Sequence, residues 1–564
     1  MSLDSPAPAT QKQRTRTNVR QSKYGCFTCR ARRVKCDEFK PHCLRCQRGK
    51  RTCEGYPEGA PRAQEQAQTA IALSPEPESP DCVSLSRPTQ LGANPELDRL
   101  RLLACAVFSQ GRPGARTEAE TAFWTHLVPQ LALSIPSVRE AAAAFAASYE
   151  QQVLKRYCGA ARFKALKQIM AAIAKIRQDV LRLPHGPLPV LVACILLACA
   201  ETIQHRHTDA LLHLRGAFSV MNSREWLAAR SANSKALLED DLSCLFGKLD
   251  LQVITYALAN PPELQFPVAP GIDADVTTFT PQQADRELFR TLHSCYSFAT
   301  KASEYKYLPR ADSRELLVLE QSRHIAELNR WLSRYRQYSK MCHDISPLND
   351  LHGLVLQAHC LSALIYVSNI LDPFETGYDR YAPQFQQIVE CVEQAMSAKA
   401  IEADMPTFNA EMGIIQPLFF TAVKYRDSAW RSKAISLLQK CGREGPWSGS
   451  VEGAAADCVA RAEETAASQT ANAASCVVSS ASRPVFLPQD IPERARVAGH
   501  SLFEIIGEDP SGTTWAVIEM SRCRDMHAML LDGSPQPDAR SPQPDAKKHW
   551  LYWRETCPIR LLGE

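Results

Sequence analysis

CFTCRARRVKCDEFKPHCLRCQRGKRTC, residues 26–53, gathers six of the chain's 21 cysteines and interleaves them with Arg and Lys. The spacing is Cys26-x2-Cys29-x6-Cys36-x6-Cys43-x2-Cys46-x6-Cys53, two copies of C-x2-C-x6-C joined by six residues. A C-x2-C pair brings two thiolates to one ion from a single turn, and zinc takes four tetrahedral ligands. Six sulfurs cannot give two ions four private ligands each, so two sulfurs must bridge. The first cysteine of each copy, Cys26 and Cys43, hold equivalent places. One ion then takes Cys26, Cys29, Cys36 and Cys43, and the other takes Cys43, Cys46, Cys53 and Cys26. The segment has few large apolar side chains (Phe27, Val34, Phe39 and Leu44), so metal ligation must supply its folding free energy. Three disulfides would need a secretory context, and a metallothionein-like store would be denser in cysteine. A zinc site serving only structure or protein contact is the serious competitor.

Charge follows the cysteines. The whole chain carries +4, yet residues 1–60 hold 14 Lys and Arg against 5 Asp and Glu, leaving a net −5 for the rest. A basic end on a mildly acidic body suggests a separate module for a polyanion. A length of 564 residues implies two or more domains, and 45% hydrophobic content allows most of them to fold. MSLDSPAPATQKQRTR has no apolar segment, so no signal peptide is expected. The longest apolar run, VLVACILLACA at 190–200, is well short of the roughly 18 residues a membrane span needs. Scattered cysteines such as Cys194, Cys199 and Cys360 read as small buried hydrophobes in a reducing compartment.

The cysteine spacing, the run Arg30-Ala31-Arg32-Arg33-Val34-Lys35 and Pro41 two residues before Cys43 resemble the fungal binuclear zinc cluster transcription factors. The resemblance implies a small module with two short helices, one at each C-x2-C pair, wrapped around two zinc ions. It implies that the first helix enters the major groove of double-stranded DNA and reads CGG triplets, and hence a nuclear regulator of transcription. Arg and Lys donating to guanine O6 and N7 are the commonest specific contacts there. Family precedent puts the base contacts at Arg33 and Arg32. Lys23, Arg30, Lys35 and Lys40 fit phosphate contacts, which position without reading sequence. Every zinc position is filled by sulfur, so the metal does no chemistry and no catalytic residue is assigned. A zinc-stapled cofactor recruited to promoters by a partner is the alternative reading.

Working outward, residues 1–22 read as a basic flexible arm, 23–56 as the zinc module and 57–96 as a disordered Pro-, Ala-, Gln- and Ser-rich linker. Leu97, Leu100 and Leu103 begin a helix, but no heptads continue, so no coiled coil is expected. A homodimer, co-regulators and the transcription machinery are the partner candidates beside DNA. Residues 97–450 read as an all-α regulatory body: Phe163, Leu166, Ile169, Ile173, Ile176 and Val180 share one helical face, and Val190–Ala200 is a helix buried all round. Residues 451–484 read as a low-complexity loop, 485–525 as a β-hairpin segment and 526–564 as a Pro-rich tail with SPQPDA repeated. KKHWLYWRE (547–555) is expected to dock back onto the body. FWTHLVPQLALSIPSVREAAAAFA (123–146), ACILLACAETIQHRHTDALLHLRGAF (193–218), REGPW (443–447) and IPERARVAG (491–499) resemble the C-terminal regulatory region of one subgroup of the same family. An enzymatic body lacks a supporting constellation. Gly499-His500-Ser501 has Phe503 where a nucleophile elbow needs its second Gly.

Overall fold

The computed structural model describes residues 26–32, 34, 36, 43, 45–46, 51–55, 118–152, 161–182, 187–223, 236–256, 263–264, 280–308, 314–341, 351–397, 408–410, 412–472, 485–506, 513–532 and 549–559. The chain divides into two compact units, Met1–Thr89 and Gln90–Glu564. The first unit contributes α1 (Phe27–Ala31), one short turn of helix started by Cys26. The arm, the linker and the leucines at 97–103 lie outside the described residues.

The second unit is a helical body with two hydrophobic cores. The first core is built by α2 (Glu118–Ala122), a π-helical turn (Phe123–Leu127), α3 (Val128–Ser134), α4 (Pro136–Gln152), α5 (Ala161–Arg182), α6 (Leu188–Ile203), α7 (His207–Met221) and α8 (Ala236–Tyr256). Helix α6 is the segment expected to be buried all round: every residue from Pro189 to Ile203 is buried. Its entry is set by Pro187 and Pro189, whose missing N–H groups cost nothing at a helix start. Ala141–Ala147 of α4 is an alanine-rich run, buried throughout, which lets neighbouring helices approach closely. The aromatic centre is Trp124, Phe145 and Phe408, with Phe218 edge-on to Phe246.

The second core uses α9 (Pro281–Ser303), α10 (Arg314–Met341), α11 (Leu351–Asn369), a 3-10 turn (Glu375–Tyr381), α12 (Ala382–Ser397), α13 (Ile415–Lys424), α14 (Ser428–Leu438), β3 (Trp447–Ser448) and α15 (Gly449–Asn472), while β1 (Phe408–Asn409), paired with β2 (Arg443–Glu444), gives Phe408 to the first core. Helix starts are chemically marked. Thr280 Oγ1 accepts from Gln283 N at 3.2 Å while Gln283 Oε1 accepts from Thr280 N at 3.0 Å, a reciprocal cap on α9. Asp427 caps α14 through the N–H groups of Ala429 and Trp430. Helix α11 is long and apolar enough to cross a membrane on composition alone, but the fold spends that surface inside the second core.

Two corrections concern the C-terminal third. Residues 451–472, expected as a loop, belong to α15. The segment lacks bulk, but it is rich in Ala, the strongest helix former, and its small side chains pack against α13, α14 and the sheet. The expected hairpin is β4 (Gly499–Ile506) against β5 (Thr514–Cys523), but a third strand, β6 (Trp550–Ile559), completes an antiparallel sheet in the order β4-β5-β6. Residues 526–564 are therefore not all tail: α16 (Met526–Asp532) and β6 lie within them, while the SPQPDA repeats fall outside the described residues. Trp550, Cys557 and Ile559 point inward from β6, and Pro558 is tolerated because the strand is an edge.

A buried ionic clamp ties these parts together. Glu375 meets Lys424 at 2.8 Å, Arg426 at 3.2 Å and Lys306 at 3.4 Å. Glu463 of α15 meets Arg431 at 2.7 Å and Arg426 at 3.0 Å, and accepts from Val497 N at 2.8 Å. Arg496 forks onto Asp379 with two 2.7 Å bonds. The IPERARVAG stretch thus supplies Arg496 and Val497 as anchors for the strand that follows.

Candidate zinc centre and nucleic-acid interface

The two C-x2-C-x6-C copies superpose as local chemistry. Cys29 N donates to Cys26 Sγ at 3.4 Å, and seventeen residues on Cys46 N donates to Cys43 Sγ at 3.2 Å. Cys26 N donates to Cys36 Sγ at 3.3 Å, and Cys43 N to Cys53 Sγ at 3.4 Å. Val34 N donates to Cys29 O at 3.1 Å, and Arg51 N to Cys46 O at 3.0 Å. The repeat read in the sequence is therefore a repeat of backbone conformation, aiming N–H groups at sulfur in both halves. Such bonds favour the thiolate that a metal needs.

The sulfurs of Cys26, Cys29, Cys43 and Cys46 all lie within 4.8 Å of one another. Across the halves, Cys26–Cys43 is 3.6 Å, Cys29–Cys43 is 3.7 Å, Cys29–Cys46 is 3.8 Å and Cys26–Cys46 is 3.9 Å. Zinc–thiolate bonds near ~2.3 Å give tetrahedral S···S edges near ~3.8 Å, so the donor set fits zinc. The geometry adds one feature to the expected scheme. Cys29 and Cys46, there given to different ions, also face each other.

Without metal, the Cys26 and Cys43 thiols keep their protons. Burial pushes Cys26 far up and Cys43 up to about 12. Burial acts on Cys53 in the same sense, but N–H groups of Cys43 and Gly55, with the thiols of Cys26 and Cys43, bring it down to about 7. Zinc loading must therefore displace protons.

Arg30 and Arg32 are exposed at the end of α1, free to face a polyanion, and Arg45 and Arg51 are exposed on the second half. Arg33, Lys23, Lys35 and Lys40 lie outside the described residues, as does most of the expected second helix, of which Arg45 and Cys46 are helical. One contributor was missed in the sequence. Thr28 Oγ1 donates to Thr52 O at 3.1 Å and accepts from Glu54 N at 3.0 Å, while Phe27 N donates to Gly55 O at 3.0 Å. These bonds clip the module's end onto its first helix. A threonine in C-x-T-C carries no signal of so distant a partner.

Residues 24–63 match the fungal Zn(2)-Cys(6) binuclear cluster domain, and residues 117–456 match the fungal-specific transcription factor domain. The chain belongs to the fungal-specific transcription factor family. It is similar to the aspercryptin biosynthesis cluster-specific transcription regulator atnN of Emericella nidulans, at 27% identity over 50% of this chain and 49% of that protein. It is also similar to the transcriptional regulatory protein moc3 of Schizosaccharomyces pombe, at 49% identity over 12% of this chain and 11% of that protein. The matches span about half or less of these relatives. No solved structure matches the chain. The family is one of transcription factors, not an enzyme class, and its cluster domain holds two zinc ions. Gly499-His500-Ser501 lies within strand β4.

Proposed function

We propose that the cluster is a reader of CGG-type triplets at RNA polymerase II promoters in the nucleus, with Cys26 and Cys43 each bridging both ions. The observation that carries this reading is the seventeen-residue repeat of N–H···S geometry around four sulfurs at tetrahedral spacing. A rigid cationic scaffold of this kind can hold a short helix end in the major groove. Arg33 and Arg32 read base edges; Lys23, Arg30, Lys35 and Lys40 hold phosphates. The helical body regulates the reader through partners, a second copy of the chain among them.

Selection of duplexes by the zinc-loaded full chain tests the reading. Enrichment of a CGG-type triplet is expected, and Arg33→Ala should cost roughly 1–3 kcal/mol on the selected site while leaving scrambled DNA little changed. Lys35→Ala should weaken all sequences alike and flatten the salt dependence. Selection that returns no shared triplet would favour a zinc-stapled cofactor brought to promoters by another protein.

A further inference from the structure

Two cysteines meet where the C-terminal strand lies on the helical body. Side chains alternate along β6: Tyr552, Arg554 and Thr556 are exposed, while Glu555, Cys557 and Ile559 turn the other way. From α15, Cys458 Sγ reaches Glu555 Oε2 at 3.5 Å. The Cys458 and Cys557 thiols also hydrogen-bond to each other. Glu555 and Cys557 are two residues apart on one face, roughly 7 Å along a strand, so one α15 side chain touches both. Trp553 Nε1 donates to the other Glu555 oxygen at 2.9 Å and fixes the carboxylate.

Ordinary packing of a buried thiol looks different. Cys360 gives its S–H to Leu328 O at 3.5 Å, and Cys441 gives its own to Leu437 O at 3.3 Å. Cys458 and Cys557 instead meet sulfur to sulfur, across two elements far apart in the chain. Both are free thiols, 0% and 1% exposed. An oxidant therefore reaches them when β6 lifts. As the edge strand of β4-β5-β6 it has a single ladder to break in doing so.

The two thiols are not equivalent. The hydrogen bond from Cys458 lowers the Cys557 thiol, against the effect of burial, while the same bond and burial raise that of Cys458. Cys557 is thus the better nucleophile and Cys458 the resolving thiol.

We infer that Cys458 and Cys557 are a redox pair, forming a reversible disulfide that locks β6 onto α15 when the chain meets a hydroperoxide. The Cys557 thiolate attacks one peroxide oxygen, the O–O bond breaks, and hydroxide leaves. Cys458 sulfur then attacks the sulfur of the resulting sulfenic acid, and the hydroxyl departs as water with the Cys458 proton. The proton lost by Cys557 neutralises the hydroxide. In sum, two thiols and one hydrogen peroxide give one disulfide and two waters. Helix α15 also carries Glu463, which holds Arg426, Arg431 and Val497 N, so the crosslink fastens the sheet to the body at a second point. The pair goes beyond the DNA reading and does not depend on it.

Exposure of the zinc-loaded full chain to hydrogen peroxide tests the inference, with alkylation of the remaining thiols, proteolysis and mass spectrometry. A peptide linking Cys458 to Cys557 should be the main crosslink of the helical body and should vanish after dithiothreitol. By circular dichroism the oxidised chain should melt several degrees above the reduced one, because a crosslink closing a loop of roughly a hundred residues restricts the unfolded chain. Cys458→Ser and Cys557→Ser should each lose both the crosslink and the rise. Cys458→Ser should also leave a sulfenic acid on Cys557 that dimedone labels. No linked peptide, linkage of either residue chiefly to other cysteines, a crosslink without a rise, or a rise that survives either variant would overturn it.

Discussion

At the scale of single residues, the six cysteines were legible because zinc chemistry ties ligand number to spacing with almost no dependence on tertiary structure. The repeat names Cys26 and Cys43 as the shared sulfurs, while each of Cys26, Cys29, Cys43 and Cys46 lies within 3.9 Å of both sulfurs of the opposite C-x2-C pair. Loss of a shared sulfur should strip a ligand from both ions, whereas loss of a terminal one affects a single ion. Cys36→Ala is therefore expected to keep one zinc per chain and Cys43→Ala to keep neither, as read by metal analysis of the purified variants. Equal stoichiometry in the two would remove the bridging assignment. The Thr28–Thr52 and Arg443–Thr202 contacts were invisible by contrast, because they join residues 24 and 241 apart.

At the scale of elements, helical periodicity found α5, and an unbroken apolar run found α6. Pattern failed for α15, where Ala supplies helix propensity without an amphipathic stripe, and for β6, whose partner β5 lies some thirty residues earlier in the chain. The tight β2–β3 turn makes a sharper test of local chemistry. Gly445 sits at φ 53°, its N–H donates to Asn409 O at 2.6 Å, and a methyl there would land on the Gln252 amide. Gly445→Ala should cost about 1–2 kcal/mol from the backbone alone, plus displacement of Gln252, seen as a lower melting temperature. The β6 strand carries a larger load. Burying a large apolar side chain is worth roughly 1.5–3 kcal/mol, and Trp550 and Ile559 are both buried. A chain ending at residue 548 should melt several degrees lower and self-associate through the bared edge of β5, measured by calorimetry and size-exclusion chromatography. A truncated chain as stable and monodisperse as its parent would mean the sheet does not need its third strand.

At the scale of the whole molecule, the two units are stabilised by different forces, thiolate–metal bonds in one and burial with a clamped ionic network in the other. The clamp gives the body its own response to acid. Glu463 is fully buried, which by itself would raise its pKa, but Arg426 and Arg431 lower it to about 2. Glu375 is held well below the carboxylate range by Lys424, Lys306 and Arg426. An unfolded glutamate titrates near ~4.3. Because the folded values are depressed, the unfolded chain takes up protons first as pH falls, and the stabilisation is complete only above that unfolded value. It is lost progressively between about pH 5 and pH 2. Helical circular dichroism of the full chain against urea, repeated from pH 7 to pH 3, should show the midpoint falling steeply over the lower half of that range. Glu463→Gln cannot hold Arg426 and Arg431 with a charge, so it should start several kcal/mol less stable, about 3–5 for a broken buried pair, and lose less on acidification. A variant that matches the parent at pH 7, or tracks its full acid slope, would show that the clamp is not what holds β4 and α15 together.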